Sequence, residues 1–259
     1  MPKIAILSDI HANLPAFKAV LKEVLASGAE QIAVLGDIVG YGASPAECVE
    51  LCRKLQATAV MGNHDVDMQQ YLKGRRPTEP NWKKSDFTAG LVHSAASLKA
   101  EQTAWLAILP YAKLIEGAAI AHANLDDPEC FDYIQSYNSA VSTLKFLAAQ
   151  TFKVGFFGHT HEQEIFHHPK TKLTWENETT FTIPTGQPCV VMVGSVGQPR
   201  SEDDRRACWV LWDPESRRVE LRKTEYNRVK AAQDIAKAGL PLESALRLIS
   251  PEEFAFLTQ

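Results

Sequence analysis

Five short apolar runs in the first two thirds of the chain each end just before residues whose side chains can bind metals. A strand that is buried on both faces reads as a continuous apolar run rather than an alternating one. The runs and the polar residues behind them are Lys3–Leu7 with Asp9 and His11, Gln31–Leu35 with Asp37, Thr58–Met61 with Asn63 and His64, Ala118–Ala121 with His122, and Val154–Phe157 with His159 and His161. Because ligands gather where such strands end in open α/β sheets, these side chains are predicted to meet along one rim.

The segments between the apolar runs predict helices that alternate with the strands. They are Leu14–Ala26, a helix that starts at Pro45 behind the capping residue Ser44, Ser85–Ser97, and Thr103–Ile108. Glu116 and Gly117 are predicted to form the turn of a hairpin between Lys113–Ile115 and Ala118–Ala121.

From about Val154 onward the pattern becomes rich in strands. The further predicted strands are Glu164–His167, Lys172–Trp175, Phe181–Ile183, Cys189–Val193, Ala207–Trp212 and Val219–Thr224, followed by closing helices at Val229–Ala238 and Leu242–Leu248. Two sheets stacked face to face with helices outside accommodate both halves of the chain. We therefore predict an α/β fold (α+β in some schemes), a four-layer α-β-β-α sandwich of two mixed sheets flanked by helices, in a single domain over residues 1–259.

Charge and cysteine content restrict the partners and the compartment. The formal net charge is −4, which argues against broad electrostatic binding to nucleic acid or anionic lipid. Met1–Leu7 is too short for a signal peptide, and no apolar stretch is long enough to span a bilayer. The five cysteines are odd in number and lack C-x-x-C spacing. We expect a cytoplasmic protein that binds neither membranes nor a nucleic-acid duplex.

The polar residues at the strand ends form a ligand set without thiolate. Ordinary turn and cap chemistry is the alternative explanation for the Asp and Asn residues, which favour such turns. The convergence of so many ligand types at successive strand ends favours a metal site, and its size indicates two metals. Carboxylate, amide and imidazole ligands suit Mn, Fe, Ni, Co or Zn, among which the sequence does not choose.

The five clusters read D-x-H, G-D, G-N-H-D, a lone H and G-H-T-H in chain order. In this combination the chain resembles the calcineurin-like metallophosphoesterases, most closely the small bacterial and archaeal phosphodiesterases without extra domains. Gly40-Tyr41-Gly42 and the segment Gly194–Arg200 are also similar to that subgroup. The resemblance covers most of the chain.

The resemblance implies a role for each of these residues. One metal would be held by Asp9, His11, Asp37 and His161, and the other by Asp37, Asn63, His122 and His159. Asp37 would then bridge the two metals. His64 would face the substrate without binding metal.

The implied reaction is hydrolysis of a small phosphate diester by a dinuclear metal-dependent phosphodiesterase. Metals in such a site lower the pKa of bound water, and the resulting hydroxide attacks phosphorus. His64 would stabilise or protonate the leaving oxygen as imidazolium. Manganese is the first expectation for the two divalent ions, because it is a common activator in the family.

Several residues near the motifs carry competing interpretations. His122 precedes Ala123 where the family usually has glycine, which would alter the local turn or narrow access to the metals. Asp65 and Asp67 are either acceptors for ligating histidines or part of a solvated acidic loop. The remaining candidates are Arg200 as a phosphate contact or a partner of Glu202 or Asp203, Tyr41 and Trp82 as stacking or packing residues, Asn124 as a substrate contact or turn residue, His93 as a packing residue, and His167 and His168 as surface residues.

The motifs leave the substrate open. A phosphomonoesterase and a dinucleoside-polyphosphate hydrolase use the same metals, so both remain alternatives to the diesterase. From another class, a non-catalytic scaffold of this fold that binds a protein partner is the second alternative, and Ala123 is the one feature in its favour. No segment indicates an interface between copies of the chain, so a homo-oligomer has no support from the sequence.

Overall fold

The computed structural model describes residues 1–75, 85–168, 170–174, 176 and 178–257. Trp82 and Trp175, which the sequence analysis named, lie outside the described residues. The strands are β1 (Ile4–Leu7), β2 (Gln31–Val34), β3 (Thr58–Ala59), β4 (Ala112–Ile115), β5 (Ala118–Ala121), β6 (Val154–Phe157), β7 (Gln163–His167), β8 (Thr171–Thr174), β9 (Thr180–Thr182), β10 (Cys189–Val193), β11 (Ala207–Asp213) and β12 (Arg218–Thr224). The helices are α1 (Leu14–Ala26), α2 (Pro45–Lys54), α3 (Asn63–Leu72), α4 (Asp86–Ser97), α5 (Ala100–Ala107), α6 (Tyr137–Ala149), α7 (Arg228–Lys237), α8 (Leu242–Leu246) and α9 (Pro251–Leu257).

The strands form two six-stranded mixed sheets. The first sheet has the order β3-β2-β1-β11-β12-β9, in which β1, β2 and β3 are parallel. The second has the order β4-β5-β6-β10-β7-β8, in which β5, β6 and β10 are parallel. Parallel neighbours direct their carboxyl ends to the same edge, so each sheet supplies several loops to one rim.

Strand β1 shows why the apolar runs are continuous. Ala5 and Leu7 pack in the cluster that joins the first sheet to α1 and α2, whereas Ile4 and Ile6 pack in the cluster between the sheets. Both faces of the strand are thus buried, as the pattern indicated. The second sheet is covered on its outer face by α6. The four-layer α-β-β-α sandwich of two mixed sheets is confirmed.

Most predicted elements are present with small shifts at their ends. The hairpin at Glu116 and Gly117 is confirmed, and both residues have the positive φ of a tight two-residue turn (33° and 77°). Helix α5 begins three residues before the predicted start at Thr103. Helices α3, α6 and α9 were not predicted. Within the described part of the chain, no helix is both long and apolar enough to cross a membrane.

Candidate metal centre

The first group of ligand-type side chains comes from the ends of β1 and β6. His11 Nε2 lies 3.2 Å from His161 Nε2, and His161 Nε2 lies 3.2 Å from Asp9 Oδ1. His11 Nε2 and Asp9 Oδ1 are 3.8 Å apart. The three side chains are buried, and their ligand atoms all lie within 4.8 Å of one another. They have the spacing of a site that can hold one metal ion.

The second group comes from the ends of β2, β3, β5 and β6. His122 Nε2 lies at its centre, 3.3 Å from Asp37 Oδ2, 3.1 Å from Asn63 Oδ1 and 3.2 Å from His159 Nδ1. Asn63 is the first residue of α3, which starts directly behind β3. All four side chains thus direct oxygen or nitrogen atoms to one point.

Asp37 lies between the two groups. Its Oδ2 atom is 3.3 Å from His122 Nε2 in the second group and 3.7 Å from His11 Nε2 in the first. Its Oδ1 atom accepts a hydrogen bond from the backbone N–H of His64 (2.8 Å), which fixes the carboxylate plane. A single carboxylate oxygen therefore faces ligands of both groups.

Backbone carbonyl groups orient three of the histidine rings. The Nδ1 atom of His11 donates to the Val39 carbonyl oxygen (3.2 Å), that of His122 to Leu35 (2.6 Å), and that of His161 to Gln198 (2.6 Å). Since a carbonyl oxygen only accepts, each Nδ1 carries hydrogen, and in its neutral form each ring presents its lone pair at Nε2. This is the arrangement in which imidazole binds metal through Nε2.

Both sequence interpretations of Asp65 are wrong. Asp65 is fully buried and contacts no histidine ring in the described hydrogen bonds. Its carboxylate accepts hydrogen bonds from the backbone N–H groups of Ile38, Val39 and Gly62 at 3.0 to 3.4 Å. It therefore ties the β2 loop to the start of α3, the helix that carries Asn63 and His64. Burial, with the nearby Asp37 charge, raises its pKa to about 7.

The donor atoms of the first group fit a cation. The two Nε2 atoms of His11 and His161 face each other with lone pairs, and Asp9 Oδ1 has no hydrogen-bond partner among the described residues. Three electron-pair donors thus converge with no hydrogen between them. Such buried groups are destabilising unless a positive charge satisfies them. A divalent cation meets that requirement, and the nitrogen and oxygen donors suit a borderline transition metal.

In the second group of the metal-free chain, a proton on His122 supplies the positive charge. Burial raises the pKa of Asp37, but the charge of His122 and its hydrogen bond to the carboxylate hold that pKa well below its usual range. Burial opposes the shift at His122, yet Asp37 raises that pKa to about 9. His122 is therefore protonated at pH 7, and a bound cation would replace this proton at the point where the ligand atoms converge.

Five residues of the two groups have left-handed backbone conformations: Asp9 (φ 53°), His11 (46°), Asp37 (49°), His159 (66°) and His161 (65°). Non-glycine residues seldom adopt positive φ, and each such residue costs about 1–2 kcal/mol. The concentration of such strained residues at these strand ends indicates that the backbone geometry of the rim is maintained at a cost in stability. Ala123 does not share this strain, so the alanine in place of the family glycine is accommodated with an ordinary φ.

His64 lies beside the first group inside an aromatic enclosure. Its ring centroid is 4.7 Å from that of His11, 4.6 Å from Tyr41 and 4.5 Å from Phe87. Its Nδ1 atom is buried and has no hydrogen-bond partner among the described residues. Burial lowers the pKa of His64 to about 4, so the ring is neutral at pH 7 in the chain alone. The ring is held in place by packing rather than by hydrogen bonds.

The other sequence candidates lie at the edges of this centre. Tyr41 is half-buried against the His11 and His64 rings. Arg200 is exposed and lines a polar pocket together with His161, and no ion pair joins it to Glu202 or Asp203 within the described part of the chain. His93 is partly buried in α4 and hydrogen-bonds the Ala43 carbonyl (3.0 Å), as expected for a packing residue.

The remaining candidates also have defined positions. His167 ends β7 and is half-buried, and His168 is exposed beyond it. Asn124 is buried, and its side chain accepts a hydrogen bond from the Asp127 backbone (2.9 Å), which is the turn role that was expected for it.

Two aromatic residues at the centre were missed by the sequence analysis. The Tyr133 ring is stacked on the His159 ring at 3.9 Å between centroids and 19° between planes. The Phe131 ring meets His122 edge to face at 5.7 Å. Neither residue follows an apolar run. The pattern of polar residues behind such runs, which identified the candidate ligands, therefore does not identify these two residues.

Comparison with known proteins relates the chain to one family. Residues 2–216 match the calcineurin-like phosphoesterase superfamily domain. The protein MJ0912 of Methanocaldococcus jannaschii, itself described as uncharacterised, is 32% identical over 243 residues, which are 92% of this chain and 93% of that protein. The phosphodiesterase YfcE of Escherichia coli is 34% identical over 82 residues, only 28% of this chain and 45% of YfcE.

A solved structure matches the whole fold. The crystal structure of a metallophosphoesterase from Sphaerobacter thermophilus superposes with a TM-score of 0.81 at 29% identity, covering 95% of this chain and 98% of that one. The family match extends over all the strand ends that carry the two ligand groups. The chain belongs to the calcineurin-like phosphoesterase superfamily, whose members are metal-dependent.

Proposed function

We propose that the chain is a dinuclear metal-dependent phosphodiesterase that hydrolyses a small phosphate diester. The observation that carries this proposal is the position of Asp37, whose Oδ2 atom faces His122 at 3.3 Å and His11 at 3.7 Å. One carboxylate oxygen between two buried ligand groups is what a pair of closely spaced metal ions requires. The two other proposed activities, phosphomonoesterase and dinucleoside-polyphosphate hydrolase, have no specific observation in their favour.

In this proposal each ligand group holds one metal. Asp9, His11 and His161 bind the first, and Asn63, His122 and His159 bind the second, with Asp37 between them. Divalent cations there supply Lewis acidity toward phosphate oxygens and toward water. Manganese is our first choice because it is a common activator in the family, and the donor set also suits Fe, Ni, Co or Zn. The carbonyl groups behind the three Nδ1 atoms keep the rings aimed when metal is bound.

His64 assists the leaving group in the proposed reaction. Its ring is neutral in the chain alone, because burial lowers its pKa to about 4. A phosphate anion beside the ring raises that pKa, because the opposite charge favours the protonated form. As the oxygen of a water molecule bonds to phosphorus and the bond to the leaving oxygen breaks, the protonated ring gives its proton to the leaving oxygen and the water proton passes to solvent. The rings of Tyr41 and Phe87 keep His64 in position for this transfer.

The preference for a diester has two supports. YfcE, which matches part of this chain, is described as a phosphodiesterase. In addition, the segment that carries Phe131 and Tyr133 also carries the exposed acidic residues Asp127, Glu129 and Asp132. A carboxylate-rich edge repels a phosphate monoester, which has two charges near neutral pH, more than a singly charged diester.

We also propose that residues 1–259 form one domain. The cluster formed by α7 and α8 packs against Ala43, two residues behind Tyr41, and α7 contacts α1. The C-terminal helices thus join the same body as the rim. The proposed setting is the cytoplasm, with a small phosphate ester as the partner.

The test is hydrolysis of bis-p-nitrophenyl phosphate and p-nitrophenyl phosphate by metal-stripped protein to which Mn²⁺ is returned. His64→Gln serves as the catalytic variant, and His93→Gln, a packing histidine outside the centre, as the matched control. We expect diester turnover that requires metal, that His93→Gln retains, and that His64→Gln lowers by about 100-fold. Turnover that is unchanged in His64→Gln would remove His64 from the mechanism, and a monoester preference would replace the diesterase proposal.

A further inference from the structure

The segment Asn124–Ser136, here called the aromatic loop, covers one side of the metal centre. It presents Tyr133 parallel to the His159 ring at 3.9 Å and Phe131 edge-on to the His122 ring at 5.7 Å. Phe131 also lies 6.0 Å from the Tyr111 ring. The loop therefore places aromatic rings directly against two of the proposed metal ligands.

The aromatic loop is anchored at both ends. Leu125 and Ile134 are buried in the cluster that α6 forms with the second sheet. Near its start, Asp126 accepts a hydrogen bond from Thr143 of α6 (3.0 Å). Between the anchors, Phe131 has a left-handed backbone (φ 55°), which the fixed ends maintain. Both ends of the aromatic loop are therefore tied to the body of the second sheet and α6.

Tyr133 is only partly covered by its contacts within the chain. One face of its ring covers His159, yet 45% of the residue remains exposed. The exposed part therefore lies on the side of the residue that faces away from the His159 ring. An aromatic ring that packs against the protein on one side and is open on the other can stack with a planar group of a ligand. Stacking on such a face is geometrically selective for planar groups.

The exposed charges of the aromatic loop are all negative at the three positions Asp127, Glu129 and Asp132. Asp132 lies between the two aromatic residues in sequence, and Asp127 and Glu129 are exposed in the same loop. A second phosphate or a carboxylate on a substrate that approached this loop would meet its negative charge. A planar group without negative charge would meet no such repulsion.

We propose that Tyr133, with Phe131 beside it, is a specificity-determining residue that stacks on a planar, uncharged organic group of the diester, such as an aryl ring or a nucleobase. This inference rests on the proposed phosphodiesterase function and adds the class of substrate. It also predicts that dinucleoside polyphosphates are poor substrates, because their additional phosphates would approach the acidic residues of the aromatic loop.

The test compares three diesters with the same p-nitrophenolate leaving group: phenyl, cyclohexyl and methyl p-nitrophenyl phosphate. Phenyl and cyclohexyl groups have similar size and apolar character, and only phenyl is planar. We expect kcat/KM of the Mn²⁺-loaded protein to favour phenyl over cyclohexyl by roughly two- to tenfold. Tyr133→Leu should bring this ratio to about one, whereas Tyr133→Phe should keep the ratio because it keeps the ring.

Binding provides a readout independent of turnover. The Kd of phenylphosphonate and of cyclohexylphosphonate, measured by calorimetry on the loaded protein, should differ in the same sense and lose the difference in Tyr133→Leu. A phenyl-to-cyclohexyl ratio near one in the unaltered chain would overturn the inference and leave the phosphodiesterase standing. So would a proportional loss of activity on all three diesters in Tyr133→Leu, which is what a purely positioning role on His159 gives. Failure to hydrolyse any of the diesters would overturn the proposed function itself.

Discussion

Replacing Gly40 by alanine tests whether the position of the His64 ring is critical, because the added methyl group meets that ring first. A Cβ atom at Gly40 lies 2.3 Å from His64 Nδ1, whereas ordinary contact begins at 3.4 Å. The ring must therefore move by about 1 Å, the difference between these distances. On its other sides the rings of His11, Tyr41 and Phe87 lie 4.5 to 4.7 Å away between centroids and resist that movement.

The expected magnitude has a backbone part and a packing part. Gly40 has a φ of +93°, and alanine in a left-handed conformation costs about 1–2 kcal/mol. Overpacking against a buried ring adds about 1–3 kcal/mol. Gly28→Ala is the matched control, because Gly28 has a φ of +78° and nothing within 4 Å of the added carbon. It should show the backbone part alone.

The assay measures the free energy of unfolding in urea, the metal content and the diester turnover for both variants. A catalytic group displaced by ~1 Å costs up to about 100-fold in rate. We expect Gly40→Ala to lose about 10- to 100-fold in turnover at unchanged metal content, and Gly28→Ala to retain turnover. Equal turnover in the two variants would refute the argument that His64 must occupy its observed position.

Three other perturbations address the ligands and their support. Asp37→Asn should reduce bound metal at both groups, measured as metal per chain by mass spectrometry, and an unaltered content would contradict the bridging position. In metal-free protein, Asp37 raises the pKa of His122 from 6.5 to about 9 against the effect of burial. A raised pKa gives stability that is present below 6.5 and is lost as the pH rises through about 9. Thermal unfolding should therefore show falling stability over this range, and loaded protein, in which metal replaces the proton, should not show it. Asp65→Ala should lower the free energy of unfolding by about 1–3 kcal/mol or more, since three backbone N–H groups lose their acceptor, whereas Asp67→Ala on the same helix should cost less.

The sequence was sufficient to predict the fold and the proximity of the ligand-type side chains, because both depend on local patterns. A strand buried on both faces must be apolar throughout, and β1 is, with Ile4 and Ile6 toward one layer and Ala5 and Leu7 toward the other. Parallel strands must end at a common edge, so residues that follow them are brought together whatever the loop conformation. Helix α6 was within reach of the same reasoning but was missed, although Ser136 caps a stretch with apolar residues at helical spacing.

Other features of the centre depend on tertiary contacts without a residue-type signal. The acceptors behind His11, His122 and His161 are backbone carbonyl groups, which every residue has. The sequence analysis therefore considered Asp65 as an acceptor for the histidine Nδ1 groups, whereas backbone carbonyl oxygens accept these hydrogen bonds. Tyr133 is equally invisible to a local pattern, because its contact with His159 depends on how the aromatic loop is anchored.

The most direct test of the central claim is a titration of metal-stripped protein with Mn²⁺, in which bound metal per chain and turnover of bis-p-nitrophenyl phosphate are measured in the same samples. Our account predicts no turnover without metal and a rise that reaches its maximum as two ions bind per chain. Full diester turnover by the stripped protein, or two bound ions without any turnover, would contradict it.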